Sequence, residues 1–238
     1  MTSILTLSDV NSYYEKSHIL FGVSLEIKEG EVVVLLGRNG VGKTTTLKTI
    51  MGLVPKITGK ILFKDSTDLL KIPPHKRAKL GIGYVPDHGG IFPNLTVYQN
   101  MKLSIKQSKS KSESTQIFEL EDVFDLFPQL EHMINRLAGT LSGGERRMLG
   151  IARGLLLNPD LLIIDEPSEG LAPNIVQDIV EIINKIRSSG VSVLVADQNL
   201  PFVEKIADRV YVIDKGEIKL SGKLSELSRE ELEMFLTF

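Results

Sequence analysis

The run Gly37-Arg38-Asn39-Gly40-Val41-Gly42-Lys43-Thr44 fits the pattern G-x-x-x-x-G-K-[ST] without a gap and directly follows the apolar stretch Val32–Leu36. Few short sequences constrain a fold so tightly. Glycines at this spacing let successive backbone N–H groups converge on phosphate oxygens at the N-terminus of the next helix. That arrangement demands a strand, a tight loop and a helix in this order. Lys43 then reaches the β- and γ-phosphates, the Thr44 hydroxyl ligates Mg2+, and Thr45 is placed for the α-phosphate. Gly37 to Thr45 therefore reads as a nucleoside triphosphate site.

Other β-branched runs read as strands, namely Leu161–Ile164, Val191–Ala196 and Val210–Ile213. Four to six consecutive apolar residues suit strands buried on both faces, as in a parallel sheet covered by helices. Pro173 opens a helix in which Ile175, Val176, Ile179, Ile182, Ile183 and Ile186 recur at helical spacing before Ser188-Ser189-Gly190 stops it. Strand, helix and strand form a βαβ unit, so the class is α/β. Ile4–Leu7, Val23–Ile27 and Lys60–Phe63 read instead as a more antiparallel portion, and Asp214-Lys215-Gly216-Glu217 as the turn of a late hairpin. The middle, roughly Val97 to Gln129, lacks strand signals and shows helical spacing at Ile117, Leu120, Val123, Phe124 and Phe127. Inside it, the Lys/Ser-rich Lys106 to Gln116 reads as a solvated loop or frayed helix end.

Two further motifs carry chemistry. Leu161-Leu162-Ile163-Ile164 ends in Asp165-Glu166, an acidic pair where ligands bind in open α/β sheets. Asp165 is placed for Mg2+ and its water shell, and Glu166 for polarising an attacking water. Ser142-Gly143-Gly144-Glu145 reads as a capping box, Ser142 at the N-cap and Glu145 three residues on. Two glycines at a positive helix end also make an anion site. In a chain that already holds one phosphate loop, this second site points to a partner subunit's γ-phosphate.

Composition excludes much else. The chain has no cysteine, which removes disulfide scaffolds, cysteine zinc ligation and thiol nucleophiles. Lys plus Arg number 28 against 30 for Asp plus Glu, so no broad basic face for nucleic acid is expected. The longest structural apolar run falls far short of the roughly 20 residues of a membrane span. Met1–Val10 has no basic residue and no sustained apolar core, so no secretory signal is expected.

The order and spacing of Gly37–Thr45, Leu141–Glu145 and Leu161–Pro167 resemble the ABC-type ATPase family, over nearly the whole chain from Leu5 to Gly222. The resemblance implies a single nucleotide-binding domain over residues 1–238, with a P-loop NTPase core, an antiparallel β subdomain and a helical subdomain inserted at about 87–155. It implies ATP and Mg2+ as cofactors and a head-to-tail dimer with a second ATPase subunit, identical or related. In that dimer each ATP lies between Gly37–Thr45 of one chain and Ser142–Gly144 of the other. Tyr14 falls where the family stacks an aromatic on adenine, with Tyr13 beside it as the other choice. Two positions depart from the common pattern. Asp87 stands where a Gln usually reaches Mg2+ and the membrane partner, and Gln198 where a His usually contacts the γ-phosphate. Ala172 replaces a frequent Asp in the loop that crosses to the partner. A Gln amide donates to phosphate but takes up no proton near neutrality.

Tyr84-Val85-Pro86-Asp87, Ile91–Val97, Asp165–Pro173 and Asp197-Gln198-Asn199 are similar to the ATPases of branched-chain amino acid importers, where an acidic residue and a Gln often stand at those two positions. The short chain resembles the smaller of the two such ATPases. The resemblance implies a membrane permease docked near Asp87–Val97, a solute-binding protein as indirect partner, no nucleic acid, and a cytoplasmic place on the inner face of the membrane. Urea and amide importers share these features. An ABC ATPase of a soluble machine is the alternative, and a poorly hydrolysing regulator a weaker one.

Overall fold

The computed structural model describes residues 2–107 and 117–236. Most of the Lys/Ser-rich stretch anticipated as a loop lies outside the described residues. Ten strands are described: β1 (Ser3–Tyr14), β2 (Ser17–Lys28), β3 (Val32–Leu36), β4 (Lys56–Phe63), β5 (Thr67–Asp68), β6 (Ile82–Val85), β7 (Leu161–Asp165), β8 (Ser192–Asp197), β9 (Arg209–Asp214) and β10 (Glu217–Lys223). They form two sheets, an antiparallel one ordered β2-β1-β4-β5 and a six-stranded one ordered β10-β9-β3-β8-β7-β6. In the larger sheet only β10 runs antiparallel to its neighbour.

The apolar runs behave as strands buried on both faces, because alternate residues feed two different cores. Val32, Val34, Leu36, Leu162, Ile164, Val193 and Val195 face one core with the helices Gly143–Leu155, Pro173–Ser188 and Leu200–Ile206. Val33, Leu35, Leu161, Ile163, Leu194 and Ala196 face the other, filled by Leu47, Ile50 and Met51 of the Lys43–Met51 helix and by the antiparallel sheet. Several expectations shift by a residue or more. The run anticipated as Val191–Ala196 is a strand over Ser192–Asp197, and that at Leu161 extends to Asp165, so both strands end on an acidic residue. Ile4–Leu7 is the start of a 12-residue strand. Its alternation breaks at Asp9, whose φ of 50° accompanies register shifts against both neighbouring strands.

The late hairpin forms at the anticipated turn. Lys215 and Gly216 have φ of 47° and 79°, the pair of positive values that a two-residue type I′ turn requires. The turn packs under the phosphate loop: the Gly216 N–H donates to the Val41 carbonyl at 2.8 Å, and its carbonyl accepts from Phe21 N–H at 2.9 Å. A Cβ at residue 216 would collide with the Ile19 carbonyl oxygen. Gly216→Ala therefore adds a left-handed penalty to a backbone clash, and should cost about 2 kcal/mol or more. Thermal melting checks it, with Tm expected to fall by roughly 4–8 °C.

Between β6 and β7 the described residues are helical or irregular, with helices at Val97–Gln107, Leu120–Leu126, Pro128–His132 and Gly143–Leu155. The periodic run anticipated from Ile117 to Phe127 is shorter as a helix. It starts at Leu120 and stops at Phe127, because Pro128 disfavours helical geometry in the residue before it. The Phe92–Thr96 loop is tied down by Asn100, which accepts from Phe92 N–H and donates to the carbonyls of Phe92, Leu95 and Thr96.

Candidate functional site

The site lies at the carboxyl ends of β3, β7 and β8, where Leu36 pairs with Asp197 and Asp165 with Ala196. Gly40 (φ 81°) and Gly42 (φ 117°) carry the chain round into the Lys43–Met51 helix through geometry that only glycine adopts freely. Gly37 is held by space instead, since a Cβ there would lie 2.5 Å from the Ile213 carbonyl oxygen. The result is a loop with close backbone approach and a helix N-terminus, which fits an anionic phosphate chain.

Lys43 is only 3% exposed, so its ammonium sits inside the loop rather than over it. It donates to the Gly37 and Arg38 carbonyls at 2.9 Å each and pairs with Glu166 Oε1 at 3.1 Å. The Thr44 hydroxyl donates to Asp165 Oδ1 at 3.1 Å, and Tyr84 approaches the other oxygen at 3.5 Å. Burial raises the Asp165 pKa, against the lowering effect of the Thr44 bond. A hydroxyl and a carboxylate oxygen in contact at a strand end suit a hard cation that draws its remaining ligands from phosphate and water. Among the described residues no three acidic or His side chains form a protein-only metal cluster. Asp87 is exposed, its Oδ1 accepts from the neighbouring His88 N–H at 2.7 Å, and its charge reaches Asp165 through space.

Glu166 follows the strand with a left-handed φ of 47°, turning its carboxyl toward Lys43. Burial, then a hydrogen bond that its carboxyl donates to the Glu169 carboxylate, push its pKa up to about 7 against the opposing pull of Lys43. The same bond, with the Asn39 amide at 3.1 Å, lowers the Glu169 pKa. Gln198 is held through its backbone, its N–H donating to Asp197 Oδ1 at 2.7 Å. Asp197 also accepts from Asn199 N–H and from the Ser168 N–H and hydroxyl, fixing both loops that flank Glu166.

Ser142 forms the anticipated capping box, its Oγ accepting from Glu145 N–H and its N–H donating to Glu145 Oε2. Gly143 is exposed, whereas Gly144 is buried where a Cβ would meet Ile175 at 2.9 Å. Among the described residues no hydrogen bond or ion pair joins Ser142–Gly144 to Gly37–Thr45 of the same chain. Where an aromatic was expected for adenine, Tyr13 is engaged: it stacks on His18 at 4.2 Å and lies under Lys56. Tyr14 is half-buried beside it and close enough to Tyr84 to influence its ionisation.

Sequence reading did not single out Arg147. Its buried guanidinium donates to the backbone carbonyls of Asp87 and Asp165, and its pKa is lowered by burial against the pull of Asp87, Asp197, Glu169 and Asp165. Its place one turn before Ile151, on the inward face of the helix, was the available signal. Asp197 was legible in the way Asp165 was, as an acid that ends an apolar strand.

Residues 20–169 match the family model described as ABC transporter. The chain is similar to the high-affinity branched-chain amino acid transport ATP-binding protein BraG of Pseudomonas aeruginosa, 40% identical over 90% of this chain and 91% of that one. It is also similar to the lipopolysaccharide export system ATP-binding protein LptB of Haemophilus influenzae, 36% identical over 96% of this chain and 94% of the relative. A solved ATP-binding subunit of an ABC transporter superposes with a TM-score of 0.84 at 27% identity, covering 99% of this chain and 100% of that one.

Proposed function

The chain belongs to the ABC transporter family of ATP-hydrolysing subunits, and from that premise we propose that it powers uptake of branched-chain amino acids or related small solutes through a membrane permease. The observation that carries the cargo class is the 40% identity to BraG, together with the Asp87 and Gln198 positions typical of such importers. A second reading, a subunit of a lipid exporter, is favoured by the 36% identity to LptB over more of the chain.

In this reading Gly37–Thr45 cradle the triphosphate, and Lys43 leaves the loop carbonyls for the β- and γ-phosphates. Thr44 and Asp165 hold Mg2+, which when bound neutralises charge on the phosphates. Asp87 would be a further ligand to Mg2+, its charge already felt at Asp165. Tyr14 offers its ring to adenine. Glu166 accepts a proton from the water that attacks the γ-phosphorus, and Gln198 donates its amide to the γ-phosphate. Ser142, Gly143 and Gly144 of a second subunit, identical or related, complete the site head to tail. Loss of the γ-phosphate removes those contacts and reopens the dimer.

The permease has a docking surface to meet. Phe92, Tyr98, Leu103 and Leu137 are exposed, near a shallow cavity of about 330 Å3 lined by Leu95, Gln99, Lys102, Leu103 and Lys106. Arg147 connects this region to the site by donating to the carbonyls of both Asp87 and Asp165, and Arg153 ties the region to the same helix through the Gly90 carbonyl and the Phe92 ring. Among the described residues no helix is long and apolar enough to cross a membrane, so attachment rests on such a partner.

The test is a pull-down of tagged Glu166→Gln chain from solubilised source membranes with ATP present. Polytopic permease subunits with a second ATPase and a solute-binding protein support the importer. Subunits of a lipid exporter move the assignment to the second reading. Purely soluble partners overturn both and leave the ATPase standing.

A further inference from the structure

The loop after Glu166 carries a contact that the hydrolytic scheme above does not use. Glu169 is exposed and lies four residues beyond the end of β7, yet it reaches back across the site. Its Oε1 accepts from the Asn39 side-chain amide at 3.1 Å, and its carboxylate lies near enough to the Glu166 carboxyl to raise that group's pKa by accepting from it. Its backbone N–H also faces the Glu166 carbonyl at 3.4 Å. Asn39 sits at the crown of the phosphate loop, and its Oδ1 stands 3.4 Å from Lys43 Nζ. Lys43 closes the circle by pairing with Glu166. Asn39, Glu169, Glu166 and Lys43 thus form a ring of side-chain contacts that joins two separate loops.

We propose that Glu169 is a positioning residue for hydrolysis: bonded to Asn39, it ties the phosphate loop to the loop that bears Glu166 and fixes where the Glu166 carboxyl stands relative to bound nucleotide. The proposal rests on the reading of Glu166 as general base. Glu166 needs such support because its backbone is left-handed and its side chain has one fixed neighbour on the opposite side, Lys43. In this reading Lys43 turns to the phosphates when ATP binds, and the bond between Asn39 and Glu169 then holds the two loops together. An amide at residue 169 preserves the tie between the loops, since its oxygen still accepts from Asn39.

Steady-state ATP hydrolysis by the full chain, with equilibrium binding of a fluorescent ATP analogue, tests this in Glu169→Ala, Glu169→Gln, Asn39→Ala and the double alanine variant. Glu169→Ala should lower kcat roughly 10- to 100-fold, the cost of an ångström-scale misplacement. Nucleotide affinity and KM should stay within about two-fold. Glu169→Gln should recover most of kcat, and the double variant should be no slower than the slower single one, because the pair acts as one unit. Wild-type kcat in Glu169→Ala, no recovery in Glu169→Gln, or additive losses in the double variant would each overturn the proposal. Because Glu169 is exposed, its alanine variant should melt with the parent chain, which separates misplacement from misfolding. Turnover retained in Glu166→Gln would instead remove the general-base reading itself, a result distinct from any of these.

Discussion

Glu166→Gln is expected to bind ATP with nearly unchanged affinity, to lose about 10²- to 10⁴-fold in steady turnover, and to accumulate a closed dimer. The substitution is nearly isosteric and tolerates the left-handed backbone as Glu does, so the loop geometry set by Asp197 and Ser168 should survive. What disappears is the capacity to take a proton from water. Such a change acts on the transition state alone, so kcat should fall with KM almost untouched. Phosphate release under saturating ATP measures the loss, and size-exclusion chromatography with ATP measures the dimer. Retained turnover would show that another group accepts the proton.

Lys43→Met should fail earlier, at nucleotide binding. The thioether keeps most of the side chain's apolar bulk and removes the ammonium. Two charge-assisted interactions with phosphate are lost, each worth about 1.5–3 kcal/mol, so affinity for ATP should fall at least roughly 100-fold. The folded chain also changes. The Gly37 and Arg38 carbonyls lose their 2.9 Å donor, and Glu166 loses its counter-charge at 3.1 Å. Titration with a fluorescent ATP analogue reads the affinity, and a melting curve taken in parallel reads the fold. Wild-type affinity in this variant would place the phosphates elsewhere.

The central strands were legible because burial on both faces leaves an unbroken apolar run, and β3, β7 and β8 are such strands. β6 was not, since Ile82-Gly83-Tyr84-Val85 is four residues at a sheet edge with a glycine inside it. β1 was only partly read, because its bulge at Asp9 breaks the two-residue period that marks a strand. The same contrast runs through the site. Gly37–Thr44 and Asp165-Glu166 announce themselves in a local pattern. Glu169 does not, because it acts on groups distant in sequence and looks locally like an ordinary surface charge, and Arg147 shows only in its inward place on the helix. Tyr13 and Tyr14 look alike in sequence, and in the fold Tyr13 packs against His18 and Lys56.

The place of β3 in its sheet sets a timetable for synthesis. Its strand partners are β8 and β9, and the loop that follows it leans on Gly216. The residues that will hold ATP therefore leave the ribosome early but acquire their scaffold about 170 residues later. At about 5–20 residues per second, that is a wait on the order of 10–30 seconds. Throughout it the five apolar residues Val32–Leu36 have no sheet to join. A nascent chain halted before β8 should be a substrate for chaperones and blind to nucleotide, whereas one extended past the last hairpin should bind it.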